Sequence, residues 1–278
     1  MNNLEFTIVT LLGSVVAGLF GALTGLGGGV VVVPMLTLLF GVDIRYAAGA
    51  SLVSVIATSS GAAAAYIKEG FTNIRIGTFL AIATAAGGLV GAFAAARMPT
   101  SLIALIFGIV LIYSAWVSAK PRQVRSDEVA SDPLAVRLNM DSSYPTPQGM
   151  QQYHVRHVPQ GFCLMLIAGI VSGLLGIGSG ALKVLAMDQV MQLPFKVSTT
   201  TSNFMIGVTA AASAGVYLTR GYVDPGLAMP VMLGVLIGSL LGVRILFVTK
   251  PKVLRIVFSV IVLLLALEMI YNGLKGKI

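Results

Sequence analysis

Two ionisable residues stand where the chain is otherwise apolar: Lys183, three positions past a glycine cluster, and Asp188, five further on. A lysine near the centre of a bilayer costs roughly 2.5–3.5 kcal/mol on insertion scales, so its retention there is by default a functional expectation. Such a residue is suited to hold an anion or to carry a proton. The alternatives are an ammonium that snorkels to an interface and one that pairs with Asp188 at imperfect helical spacing. Hydroxyl and amide side chains lie close by in sequence, in the run Ser198, Thr199, Thr200, Thr201, Ser202, Asn203, and an earlier segment carries Ser51, Ser54, Thr58, Ser59 and Ser60. Such groups replace the hydration shell of an oxyanion without adding charge, which permits release as well as binding. Ser51, Thr200, Thr201, Ser202 and Asn203 are therefore read as substrate-binding residues. Ser54, Ser60 and Thr209 are read as ordinary hydroxyls bonded to their own backbone or bridging helices.

Glycine clusters at Gly25-Leu26-Gly27-Gly28-Gly29 and Gly176-Ile177-Gly178-Ser179-Gly180 each interrupt a long apolar run. In lipid an unpaired backbone amide costs several kcal/mol, so irregular chain at membrane depth is tolerated only where protein packs it or a polar cavity borders it. A helix restarting after such a break presents unpaired N–H groups and a partial positive charge. Two such ends, brought together, would form one central anion site. Gly27, Gly28, Gly29, Gly178, Ser179, Gly180 and Lys183 complete the expected substrate-binding set. Gly87, Gly88 and Gly91, diluted in alanine, are read instead as small residues that let helices pack closely.

The two clusters lie 151 positions apart, and the register holds around them: Ala17 and Gly18 match Ala168 and Gly169, Ser51 matches Ser202, Thr58 matches Thr209, and Gly87 matches Gly238. One offset kept over roughly ninety residues marks an internal duplication. Apolar segments at about 6–24, 47–67, 75–97 and 101–119 recur at about 162–175, 198–218, 226–248 and 253–272. The pieces at 29–40 and 180–193 are too short to cross alone and are read as half-helices or re-entrant continuations. The fold class expected is an all-α polytopic membrane protein of two related repeats, residues 1–120 and 161–278, with about four transmembrane helices each. That count favours parallel repeats, because only an odd number would invert the second copy.

Of the 278 residues 56% are hydrophobic and 10% charged, where a soluble domain carries about a quarter charged. The solvent for most of the surface is therefore lipid. The formal net charge of +8 does not imply nucleic acid, since the basic residues flank the apolar runs, as at Lys68 and Arg75 or Lys250, Lys252 and Arg255, in the manner of interfacial anchors. The start of the chain lacks a basic n-region and reads as a first membrane helix rather than a cleaved signal. The single cysteine, Cys163, excludes an internal disulfide framework. No nucleotide-binding loop, metal-ligand cluster or Ser/His/Asp set is present, so neither a cofactor nor enzymatic catalysis is expected. Asp43, 18 residues after Gly25, does not complete a dinucleotide fingerprint, because Val30 stands where its third glycine belongs.

Residues 121–160 are the one long polar stretch. Alternating residues at Leu134–Met140 and Gln151–Val158 predict a small extramembrane β-hairpin on the cytoplasmic side. His154 and His157 would then point to opposite faces, which spoils a shared metal site.

The pattern Gly25 to Gly29 with Pro34, then Ala50-Ser51-Leu52, Tyr66 and Gly70, repeated through Gly176 to Gly180, Thr201-Ser202-Asn203, Tyr217, Gly221 and Asp224, resembles the TauE/SafE sulfite exporter family. The resemblance implies a bacterial inner-membrane carrier of two related halves that moves sulfite, sulfonates or related small organic anions. Ser179, Leu185 and Lys183 depart from the pattern where substrate would be read. The function expected is secondary transport of a small sulfur-containing anion, driven by the proton gradient or membrane potential. A passive anion channel, a subunit of a larger transport complex and a ligand-free scaffold are the other readings.

Overall fold

A computed structural model describes residues 3–24, 28–68, 70–119, 131–146, 149–246 and 251–276. Helix α1 is Asn3–Thr24. After the glycine break, α2 (Gly29–Pro34) runs directly into a π-helical turn, Met35–Leu39. Three long helices follow, α3 (Ile44–Lys68), α4 (Ile74–Ala95) and α5 (Thr100–Ala119). A small lobe holds α6 (Pro133–Arg137) and the antiparallel strands β1 (Ser142–Thr146) and β2 (Gly149–Tyr153). The order then recurs: α7 (Val158–Leu175), short α8 (Gly180–Leu185) with a π turn at Ala186–Val190, and the long helices α9 (Phe195–Thr219), α10 (Pro225–Leu246) and α11 (Pro251–Leu274).

Local chemistry sets several boundaries. The Asn73 side chain accepts a bond from the Ile76 N–H and so caps α4. Asp132 does the same for Leu134 ahead of Pro133, and this starts a helix where alternation predicts a strand. Leu134–Met140 is accordingly not a strand; the hairpin is built from Ser142–Thr146 and Gly149–Tyr153 instead. Leu12, Val16, Ile82, Val90, Ile109, Leu240 and Leu264 point outward from the middles of the long helices, which suits hydrocarbon and not water. Among the described residues Leu4–Gly21, Ile74–Ala95 and Val158–Leu175 are long and apolar enough to span a membrane outright, with shorter apolar helices beside them.

The direction of each helix follows from which residues meet. Phe6 stacks edge-on against Phe40 with ring centroids 5.5 Å apart, and Gly13 lies beside Met35, so α2 and its π turn run back along α1 to the end from which α1 started. In the second half Arg156 N–H donates to Met191 O (3.2 Å) and Ser179 Oγ to Ala168 O (2.7 Å), the same return at the other end. Each short piece therefore adds a fifth passage through the bundle. The count of four that favours parallel repeats is corrected by this return: the second set of elements is turned over relative to the first. α1 packs parallel to α10, and α4 parallel to α7, while Gly273 against Ser101 and Gly108 against Ala266 set α5 antiparallel to α11.

These contacts rest on missing side chains. A Cβ on Gly18 would stand 2.3 Å from Val235 O, and one on Gly169 2.3 Å from Thr84 O; Gly238 and Gly87 meet Val15 O and Leu166 O at 2.0 and 2.2 Å. Close backbone approach is the reading made for Gly87 and Gly91, and it is what is found. Each of these pairs becomes its partner when 151 is added to one number and subtracted from the other. The same exchange relates Arg45 over the Tyr222 ring (5.8 Å) to Lys196 over the Phe71 ring (5.5 Å).

Candidate functional site

The two breaks meet inside the bundle. Gly29, the first residue of α2, is buried, and a Cβ there would fall 2.5 Å from Ser51 Oγ and 3.2 Å from the Ile177 Cα in the opposite break. Only a glycine lets the two backbones approach this closely. Ser51, fully buried on α3, donates its hydroxyl to Gly176 O over 2.7 Å, satisfying a carbonyl that the end of α7 leaves unpaired. Ser202, its counterpart on α9, points its hydroxyl at Gly180 O (3.4 Å). Gly28 is buried against Val235, and Gly178 turns at φ +72° against Val55 and Ile206. Ser179 holds φ +45° and tethers itself through its hydroxyl to Ala168 O. Gly27 lies outside the described residues.

Lys183 is wholly buried one turn into α8. Its Nζ donates to Thr209 Oγ1 over 2.8 Å, and Thr209 Oγ1 lies 2.8 Å from Thr84 Oγ1. Thr84 in turn donates to Ala81 O (3.2 Å). The arrangement thus joins α8 and α9 of the second half to the middle of α4 of the first. An ammonium carries three N–H donors; Thr209 takes one, and no second partner is found among the described residues. The bond goes to Thr209 and not to Asp188, which sits half-buried on the π turn. A buried donor group without its full set of partners is expensive, which sets Lys183 apart from the other buried side chains among the described residues. At the positions related by 151, Val32 and Thr58 of the first half stand for Lys183 and Thr209, and Val235 of the second half stands for Thr84, so the lysine with its two threonines occurs once per chain.

Not all of the hydroxyl run joins this centre. Thr200 donates to Phe71 O (3.1 Å) and to its own helix, and Thr201 Oγ1 accepts from Asn73 N–H (3.1 Å), so both hold the α3–α4 connection at the lobe end of the bundle. Asn203 is half-buried on the same helix. Ser54 and Ser60 bond to their own helix, as read. Thr209 does more than that, since it is the partner of Lys183, and Thr84 carried no sequence signal beyond being a hydroxyl in an apolar run. The change from Val32 to Lys183 between halves was the available clue to both. No group of three or more His, Cys, Asp or Glu gathers as a metal set among the described residues; His154 bonds instead within the lobe, to Ser131 and Asp141.

The long apolar helices fit a multi-pass helical membrane protein, and the comparisons that follow place it among membrane transporters, not enzymes. The chain belongs to the sulfite exporter TauE/SafE family, whose profile matches residues 10–269. It is 28% identical over 281 residues to the probable membrane transporter protein YunE of Bacillus subtilis (strain 168), covering 98% of this chain and 99% of that one. It is 26% identical to the probable membrane transporter protein YdhB of the same organism over 89% of this chain and 92% of that one. The probable membrane transporter protein MJ0441 of Methanocaldococcus jannaschii is 27% identical over 96% of this chain and 98% of its own length. No solved structure matches the chain.

Proposed function

We propose that this protein is a secondary transporter of a small sulfur-containing oxyanion or organosulfonate, built as an inverted duplication and working by alternating access around the two breaks. The observation that carries this reading is Lys183, a fully buried lysine whose Nζ has one hydroxyl partner among the described residues, set beside the second break at the depth of the middle of α4. Anion charge would be met by Lys183, with the hydroxyl of Thr209 fixing its direction and the break at 178–180 supplying backbone groups nearby. Exchanged contacts at one constant offset support the duplication, and inverted repeats place substrate at their interface near mid-membrane. The driving force is the proton gradient or the membrane potential, in the bacterial inner membrane.

The lobe end is assigned to the cytoplasm. Arg75, Arg137, Arg156, Lys196, Lys252 and Arg255 belong to this end, against Arg45, Arg97, Arg220 and Lys275 at the other, the asymmetry expected of a cytoplasmic face. The test is counterflow of labelled sulfite or taurine in proteoliposomes. Trans-stimulation by the same anion is the expected result; flux without trans-stimulation would mean a channel, and no flux of any sulfur anion would remove the substrate assignment.

A further inference from the structure

We infer that the lobe of residues 131–146 and 149–157 is a plug, seated in the counterpart of a cleft that stands open at the opposite end of the bundle. This inference rests on the inverted duplication proposed above. The open cleft, of about 470 Å³, is walled by Thr7 of α1, Val42 and Tyr46 around the start of α3, and Asp224 and Leu227 at the start of α10. Shifted by 151 in the appropriate direction, these positions become Val158, Leu193, Val197, Asn73 and Ile76 at the lobe end. The lobe covers all five. Val158 N–H donates to Asp132 Oδ2 (3.1 Å), and Asn73 Nδ2 donates to both Met140 O and the Tyr153 hydroxyl (2.8 Å each). Ile76, Leu193 and Val197 share one buried cluster with Ala135, Met140, Tyr153 and Val155. At the rim Arg75 Nη1 donates to Asn139 O over 2.8 Å.

Two halves of one design thus differ in what fills the mouth: space at one end, and a folded lobe at the other. The lobe is tied together internally by Asp141, which accepts from Val155 N–H (2.9 Å) and bonds Ser131 and His154. It moves as one body or not at all, and the lobe end opens only when it leaves Asn73 and the Ile76 cluster. The plug sets the resting preference for opening at the Tyr46 end, and anything that draws the lobe away shifts the carrier toward the other.

The test uses purified full-length protein in detergent, so that both ends meet solvent, in a Cys163→Ser background. Reaction with a charged maleimide is timed for Val42→Cys at the open cleft and Leu193→Cys beneath the lobe. Val42→Cys is expected to react about tenfold faster or more, and combining Asn73→Ala with Tyr153→Phe to raise the Leu193→Cys rate about tenfold while leaving Val42→Cys unchanged. Arg75→Ala, at an exposed rim position, is a second variant expected to raise it about threefold without threatening the fold. Equal rates at the two cysteines with the lobe intact, or a Leu193→Cys rate indifferent to both loosening variants, would overturn the plug. These rates do not depend on which anion is carried, so a wrong substrate assignment would appear in counterflow and leave this result standing.

Discussion

Ser51 Oγ and Gly176 O lie 2.7 Å apart, a buried hydrogen bond that ties the first half of the chain to the glycine break of the second. With Gly29 pressed on Ile177, it holds the two breaks against each other. Ser51→Ala leaves a buried carbonyl unpaired, which costs about 1–3 kcal/mol. Thermal unfolding in detergent should show a lower midpoint for this variant, and Ser54→Ala, whose hydroxyl bonds only to Ser51 O, should show a much smaller loss.

Thr209 and Thr84 stand in series behind Lys183. Thr209→Val removes the one bond to the ammonium and should weaken anion binding about tenfold. Thr84→Val acts only through Thr209 and should cost less, and the double variant should cost little more than Thr209→Val alone. Titration of the purified variants in a double-mutant cycle measures this; additive effects would mean that the two hydroxyls act separately.

Close helix packing makes opposite predictions for two glycines within membrane helices. A Cβ on Gly87 would stand 2.2 Å from Leu166 O, so Gly87→Ala must push α4 from α7 and should cost about 1–3 kcal/mol. Gly215, within α9, has open space where its Cβ would be, and Gly215→Ala should be neutral or stabilising by about 0.5–1 kcal/mol. Thermal midpoints in the same detergent compare them directly.

The lobe has a built-in acid limit. Burial pushes the Asp141 carboxyl up, but bonds from Ser131, His154 and Val155 N–H together with the charge on His154 outweigh it, leaving the group below its ordinary value of 3.8. A carboxylate lowered on folding stabilises fully above its unfolded value and loses that contribution as pH falls through the folded one. The protection of the Val155 amide, its exchange rate relative to an unprotected amide at the same pH, should therefore fall below about pH 4, and Asp141→Asn should show low protection at neutral pH with no such acid step.

Much of this was legible in the chain because lipid imposes a simple rule: long apolar runs become helices, and the segments read at 75–97 and 226–248 became α4 and α10 with ends shifted by a few residues. The second glycine break was legible as a break, while Gly25 to Gly27 of the first lie outside the described residues. What was not legible was the direction taken after them, since a dozen apolar residues can run on or turn back, and contacts such as Phe6 on Phe40 and Arg156 N–H on Met191 O decide it. The turn back also brings the start of α11 to the same end of the bundle as the start of α4. Leu185 stands where the first half has Pro34, yet both lead into a π turn, so the turn does not depend on proline. In the polar stretch alternation misled at Leu134–Met140, where an Asp132 cap and Pro133 outweighed it. Thr200 and Thr201 shared a helix with Ser202 but faced the α3–α4 connection, a matter of helical phase that composition does not reveal.

In the proposed mechanism Lys183, buried at mid-membrane, holds the carried anion. Titration calorimetry of sulfite, taurine and sulfoacetate into purified protein and into Lys183→Met tests it most directly. Saturable binding of at least one of these anions by the native chain is expected, with a loss of about 100-fold in Lys183→Met and with thermal midpoint and monodispersity retained. Equal affinity in the two proteins would contradict it.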